Sequence, residues 1–385
     1  MHLFIEPTEP LLFRTGRPFD AGQNSFAESL FPPTPETVQG AVRAAIASYW
    51  DPQKNIAAAF NDPGLTQLIG DRSGYGRFRV TGTALGRYPK LEREKVERLF
   101  PAPAHIIKLE HIAQEGEDKR LLRLLPCPLK ETTRSNLPEG IDHYLEPEET
   151  LGDDEELKPV EGWLTETGLY KALGKGDLSG IEIIKKSDIC REEPRLGIGI
   201  QLGTKAAEEG YLYQVLMIRM NHKLNHEYIY GFVVDIALEK LPSDAQPLSD
   251  EQIQKELRLP NSGWMILGGE QRTAHFRVLP STSESITRPV RERTLLYLAT
   301  PASFKGGWKP SQDMASQPIT AAINRYDPIG GWKQNPGDAG GENKVMRRCV
   351  PAGSVYFFNE KVILNQPLTD DGMEIGYGIT YEGEW

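Results

Sequence analysis

Two apolar runs, YLYQVLMIRM at 211–220 and YIYGFVVDIAL at 228–238, are separated only by the polar residues 221–227. Both are rich in β-branched and aromatic side chains, which suit a pleated, half-buried surface. Neighbours of this kind read as a β-hairpin or as two sequential strands. Further strand-like runs are HLFIEP (2–7), RFRVTGTALGRY (77–88), EEPRLGIGIQ (192–201), WMILGGEQRTAHFRVL (264–279), RTLLYLATPASF (293–304) and AGSVYFFNEKVIL (352–364). Helical patterns are few. The chain therefore reads as α+β with antiparallel sheets, and a repeated β-α-β-β-α-β unit would fit.

The clearest helix begins at Pro35. Thr34 is a capping residue, Pro35 suits the first helical position, and Glu36 suits the positive end. Val38, Ala41, Val42, Ala45, Ile46 and Tyr49 recur on one face until Asp51-Pro52 ends the pattern. Gly40, inside it, costs about 1 kcal/mol relative to alanine, which reflects either close approach of another backbone or simple tolerance. SDEQIQKEL (249–257) predicts a short helix capped by Ser249. LEREKVERLF (91–100) and SQPITAAINRY (316–326) predict two more. Residues 110–172, poor in periodicity and rich in proline, glycine and acids, read as insertions on a domain.

A chain of 385 residues suffices for two domains or one large one. Hydrophobic residues at 39% fit a packed core, and no apolar run approaches the length of a membrane span. The start MHLFIEPTEP has no basic region followed by an apolar run, so no signal peptide is expected. Cys127, Cys190 and Cys349 are scattered and odd in number, which favours a reduced cytoplasmic setting without disulfides.

The net charge of −10 argues against a sprawling polyanion binder, but the charge is uneven. Residues 146–156 hold seven acids and no base, and read as a solvated loop. Residues 72–98 hold eight bases against three acids. An RNA partner is therefore not excluded.

Motifs for chemistry are sparse. His222 and His226 are four apart in a turn-like segment, without the order of a zinc helix. No cysteine pair has zinc-site spacing, and neither a nucleophile elbow nor a P-loop occurs. Glycines are more informative: the pairs at 268–269, 306–307, 330–331 and 340–341, and Gly376-Tyr377-Gly378. Each is either a tight turn or a place where backbone N–H groups approach an anion. Neighbouring Arg or Lys side chains would hold phosphate, and Trp or Tyr would stack on a base.

FRTGRPFDAGQNSFAESLFPP (13–33) lies in a connection of about 26 residues between the first strand and the first helix, a length that is usually functional or disordered. Arg14, Arg17, Asn24, Ser25 and, one turn into the helix, Arg43 would suit an RNA strand held by its backbone. Pairing of Arg14 and Arg17 with Asp20 and Glu28 is the structural alternative, and both remain open at this point.

Seven blocks then occur in a recognisable order. They are PLLFRTGRPFDAGQNSFAESLFPPTPETVQGAVRAAI, RVTGTALGRY with PAPAHIIK, EEPRLGIGI with EEGYLYQVLMIRM, LGGEQRTAHF, LATPASFKGGWKP, VPAGSVYFF and GYGITYEGEW. Spanning nearly the whole chain, they closely resemble the RAMP (repeat-associated) subunit family that is third in the Cmr series of type III-B CRISPR effector complexes. The resemblance implies two ferredoxin-like (RRM-like) domains, 1–205 with insertions at 110–172 and 206–385. It implies a non-catalytic, cofactor-free subunit that binds the 5′ handle of the CRISPR RNA in antiviral defence. Its expected partners are the large polymerase/cyclase-like subunit and the neighbouring backbone RAMP subunit. Site residues carried over by motif are Arg14, Arg17, Asn24, Ser25, Arg43, Arg195, Gly268, Gly269, Gln271, Arg272, Lys305, Gly306, Gly307, Trp308, Gly376, Tyr377 and Gly378. The acidic segment 146–156 departs from the family pattern. Other RAMP proteins cut CRISPR RNA without metal, using a histidine. One would be expected near the first helix, and none lies between His2 and His105.

Overall fold

The structure, a computed structural model, describes residues 1–15, 26–71, 74–111, 120–130, 137–138, 140–200, 203–204, 207–221, 227–242, 246–280, 292–310, 316–334 and 341–385. Its centre is an eight-stranded antiparallel sheet. In spatial order the strands are Ile183–Ile184, Trp163–Thr165, Glu97–Pro101, Phe78–Pro89, Tyr228–Leu238, His2–Pro7, Thr273–Leu279 and Ser262–Ile266. Four adjacent strands, Phe78–Pro89, Tyr228–Leu238, His2–Pro7 and Thr273–Leu279, combine with the helices Pro35–Trp50 and Asp250–Leu257 into one β-α-β-β-α-β unit. Leu3 and Ile5 join the helix-side core with Val42, Ile46, Ile253 and Leu257, while Phe4 packs on the opposite face with Tyr88 and Val233. That is the alternation a strand imposes.

Both helices start as their sequences predict. The Thr34 hydroxyl accepts from Thr37 N–H at 3.3 Å. Ser249 accepts from Gln252 N–H, and the Gln252 side chain accepts in return from Ser249 N–H, a reciprocal cap. Among the described residues nothing lies within 4 Å of a Cβ built on Gly40, so none of them makes the close approach that one reading expects.

The two runs of the opening argument are sequential strands in different sheets, not a hairpin. Ala207–Met220 pairs instead with Cys190–Ile200, while Tyr228–Leu238 enters the large sheet. Asn221 turns the chain between them in a left-handed conformation, φ 53°, and its side-chain amide brackets Tyr230 N–H (2.8 Å) and C=O (2.9 Å). Asparagine tolerates that conformation and supplies both bonds. Phe26–Ala27 adds to this ribbon in parallel.

Two expected helices are strands. Glu97–Pro101 pairs with Phe78–Pro89 and Trp163–Thr165, burying Leu99 and Phe100. Thr320–Ala322 pairs with Val355–Phe357 in a four-stranded sheet completed by Thr294–Leu298 and Thr380–Glu384. Residues 110–172 are more regular than expected. Ile106–His111, Arg120–Pro128, His143–Pro147 and Glu155–Pro159 form a four-stranded antiparallel sheet. The acidic segment is part of it, with Glu148 accepting from Arg123 N–H at 3.0 Å and Glu149 paired with Arg120 at 2.6 Å. The large sheet takes strands from both halves of the chain.

Candidate nucleic-acid interface

At the start of the helix Pro35–Trp50 lies a cleft of about 790 Å³. One wall is the helix itself, through Thr34, Glu36, Thr37, Gly40, Ala41 and Ala44. Gly40 leaves this wall without a side chain. A second wall is the segment that follows the first strand: Leu12, Phe13, Arg14 and Thr15. Leu12 and Phe13 are buried anchors, so this part of the long connection is fixed by the core before the chain reaches Arg14.

Gly268 and Gly269 close that side. Gly269 N–H donates to Leu12 C=O at 2.8 Å, and Gly268 has φ +80°. A Cβ on Gly268 would sit 2.6 Å from the same carbonyl, so only glycine allows this approach. The third wall is Pro328–Gly331 with Lys344, whose N–H donates to Gly331 C=O at 2.8 Å. Lys344 Nζ reaches across to Glu36 at 2.6 Å, and Arg347 lies 3.6 Å from the other oxygen of Glu36. A carboxylate thus occupies the positive end of the helix, held by two cations.

The cleft therefore unites Arg14, Gly268 and Gly269 with Lys344, the Thr37 hydroxyl, and Thr34 and Glu36, which the sequence marks only as helix-start residues. Gly330–Gly331 carries its signal in the sequence as a glycine pair. Arg17, Asn24 and Ser25 lie outside the described residues, as do His222 and His226.

The remaining expected residues are elsewhere. Gln271 follows Glu270 in a tight left-handed turn beside the glycine pair, with φ of 53° and 56°. Arg272 pairs with Glu9 (3.3 Å) and Glu270 (2.9 Å). Arg195 pairs with Glu193 at 2.6 Å, and Arg219 bonds the same carboxylate, pulling its pKa down to about 2. Arg43 is half-buried, donates to Asp71 C=O at 2.9 Å and lies against the rings of Phe60 and Tyr75. Burial lowers its guanidinium pKa.

Lys305–Trp308 forms a turn on the C-terminal sheet, with Lys305 N–H bonded to Asp370 and Trp308 packed on the sheet's core. Gly376-Tyr377-Gly378 is a packing turn. Tyr377 is fully buried, burial raises its phenol pKa, and it offers no open face to a base. The basic stretch 72–98 is largely neutralised within the fold: Arg77 meets Glu256 (2.8 Å), Arg79 meets Glu239 (2.6 Å), Arg87 meets Glu182 (2.6 Å) and Arg98 meets Asp235 (2.5 Å). Among the described residues no histidine lines the cleft, and no cluster of three or more acids, histidines and cysteines could hold a metal.

Among solved structures, a chain of the cryo-EM Type III-B Cmr-beta bound to cognate target RNA and AMPPnP aligns with a TM-score of 0.47 at 17% identity, over 93% of this chain and 86% of that one. A chain of Cmr-beta bound to cognate target RNA gives 0.44 at the same identity and coverage. A search of curated proteins finds no match. A family model described as CRISPR-associated protein (Cas_Cmr3) matches residues 3–385. That span is almost the entire chain, and the protein belongs to the Cas_Cmr3 family of CRISPR-associated proteins.

Proposed function

We propose that this chain is a non-catalytic, RNA-binding subunit of a type III-B CRISPR effector complex, and that the cleft at the start of the helix Pro35–Trp50 holds the 5′ handle of the CRISPR RNA. The observation that carries this reading is the convergence of Arg14, Lys344 and two glycine pairs on one helix N-terminus. Glycines let a sugar–phosphate chain approach backbone N–H groups closely, and the two cations meet phosphate charge. The Thr34 and Thr37 hydroxyls add neutral bonding groups that suit sugar and phosphate oxygens. With its acids mostly outside the cleft, the chain can carry a net charge of −10 and still hold a short RNA segment.

In this reading the β-α-β-β-α-β unit and the C-terminal sheet form the two ferredoxin-like units. The large polymerase/cyclase-like subunit and the neighbouring backbone RAMP subunit are the protein partners. The test is a filter-binding titration of handle-length RNA across a salt series, with wild type and the double variant Arg14→Gln/Lys344→Gln. Each lost phosphate contact should reduce the log–log salt slope by about 0.7, so the double variant should bind more weakly and with a slope lower by about 1.4. Equal affinity and equal slope would remove the cleft from RNA binding.

A further inference from the structure

A second cavity, of about 290 Å³, borders the cleft, and Leu30, Thr34 and Ile329 line both. This cavity lies between the start of the helix, the large sheet and the segments around 300, 327 and 351. Its walls are mostly apolar, with the rings of Phe31, Trp163 and Phe232 among them. One ionisable group lines it among the described residues, the carboxyl of Asp327. That carboxyl has no hydrogen bond or ion pair among the described residues, and burial alone raises its pKa.

Half-buried at a mostly apolar wall, the Asp327 carboxyl gains hydrogen bonds when a ligand with paired donors enters. We propose that this cavity receives one guanine base of the RNA strand held in the cleft, with Asp327 accepting the base's two neighbouring N–H groups. The inference rests on the RNA reading of the cleft and adds base identity to it.

The chemistry selects among bases. A carboxylate only accepts, and it has two oxygens side by side. The Watson–Crick edge of guanine presents N1–H and the N2 amine together, a bidentate match. Adenine and cytosine each set an acceptor ring nitrogen beside a single amine. Uracil sets one N–H between two carbonyls. Each of these would face the carboxylate with a repelling lone pair. The aromatic walls supply the stacking that a splayed single-stranded base requires. The volume lies at the small end of ligand pockets, about 300 Å³, which suits one base rather than a longer segment.

The test uses the full chain and fluorescence anisotropy with short oligouridines carrying one guanosine, walked along the strand, against adenosine and inosine at the same position. Inosine keeps N1–H and lacks the N2 amine. At one position guanosine should bind at least about 10-fold tighter than adenosine, with inosine between them. Asp327→Asn should bring the three within about 2-fold, because an amide both donates and accepts and no longer selects paired donors. Wild type that does not separate guanosine from adenosine at any position overturns the pocket. The Arg14→Gln/Lys344→Gln variant then shows separately whether the cleft still binds RNA. A guanosine preference that persists in Asp327→Asn also overturns the assignment, since another group then reads the base. Absence of binding to every strand overturns the pocket and the cleft together.

Discussion

His105 makes a pH-dependent contribution to stability whose size follows from its surroundings. Its ring is fully buried, edge-on to Phe357 at 5.8 Å between centroids. Burial, reinforced by the nearby Arg123 charge, holds its pKa down to about 3. In the unfolded chain the same ring titrates near 6.5. The folded state therefore keeps it neutral at pH values where the unfolded state binds a proton. This contribution is fully present above about pH 6.5 and is lost as pH falls toward the folded value.

At pH 5.0 the ring is about 1.5 units below its unfolded pKa. At 1.36 kcal/mol per unit, the loss relative to pH 7.5 is about 2 kcal/mol. The assay is urea unfolding of wild type and His105→Leu at both pH values. Carboxylate contributions are common to both proteins and cancel in the comparison. Wild type should lose about 2 kcal/mol more than the variant over this interval. Parallel losses would refute the reasoning. So would an NMR titration in which the His105 ring of the folded protein protonates near pH 6.5.

Two other substitutions probe the cleft and its support. Glu36→Gln removes the carboxylate that holds Lys344 and Arg347, so RNA should bind more tightly with a steeper salt slope, while the helix start loses about 0.3–1 kcal/mol in thermal melts; unchanged RNA affinity would show that this carboxylate does not compete with phosphate. Gly378→Ala forces a side chain onto φ +69°, with its Cβ 2.5 Å from Leu368 C=O, and should destabilise by more than about 1 kcal/mol in denaturant titration. A neutral result there would mean the turn is not fixed as described.

The helix caps were legible because capping is local. Thr34 and Ser249 each find their bonding partner within three residues. Strand character was legible where β-branched and aromatic residues form short continuous apolar runs, as in residues 2–7 and 228–238. The segment 91–100 misled because its charges mimic a solvated helix face, yet Arg98 is drawn to Asp235, 137 positions away, while Leu99 and Phe100 are buried. Residues 110–172 misled in a similar way. Their acids look solvated in sequence, but several are held by Arg120, Arg123 and Lys158 along a small sheet.

Among the expected RNA contacts, Arg14, Arg43, Arg195 and Arg272 look alike as letters. Whether a guanidinium faces a cleft, two rings or a carboxylate depends on what the fold packs beside it, at separations from 2 positions for Arg195 and Glu193 to 263 for Arg272 and Glu9. Arg272 is matched by Glu9 and Arg43 by Phe60, Asp71 and Tyr75. Short-range signals along the chain determined by themselves the two main helices and the long apolar strands, and the block pattern determined the family. Which strands pair, which arginines are neutralised, and how Arg14, Lys344 and the glycine pairs come to share one helix end were decided only in three dimensions. The physical reason is range: caps and alternation act over a few residues, whereas strand partners and charge neutralisation are chosen by whatever the fold packs alongside.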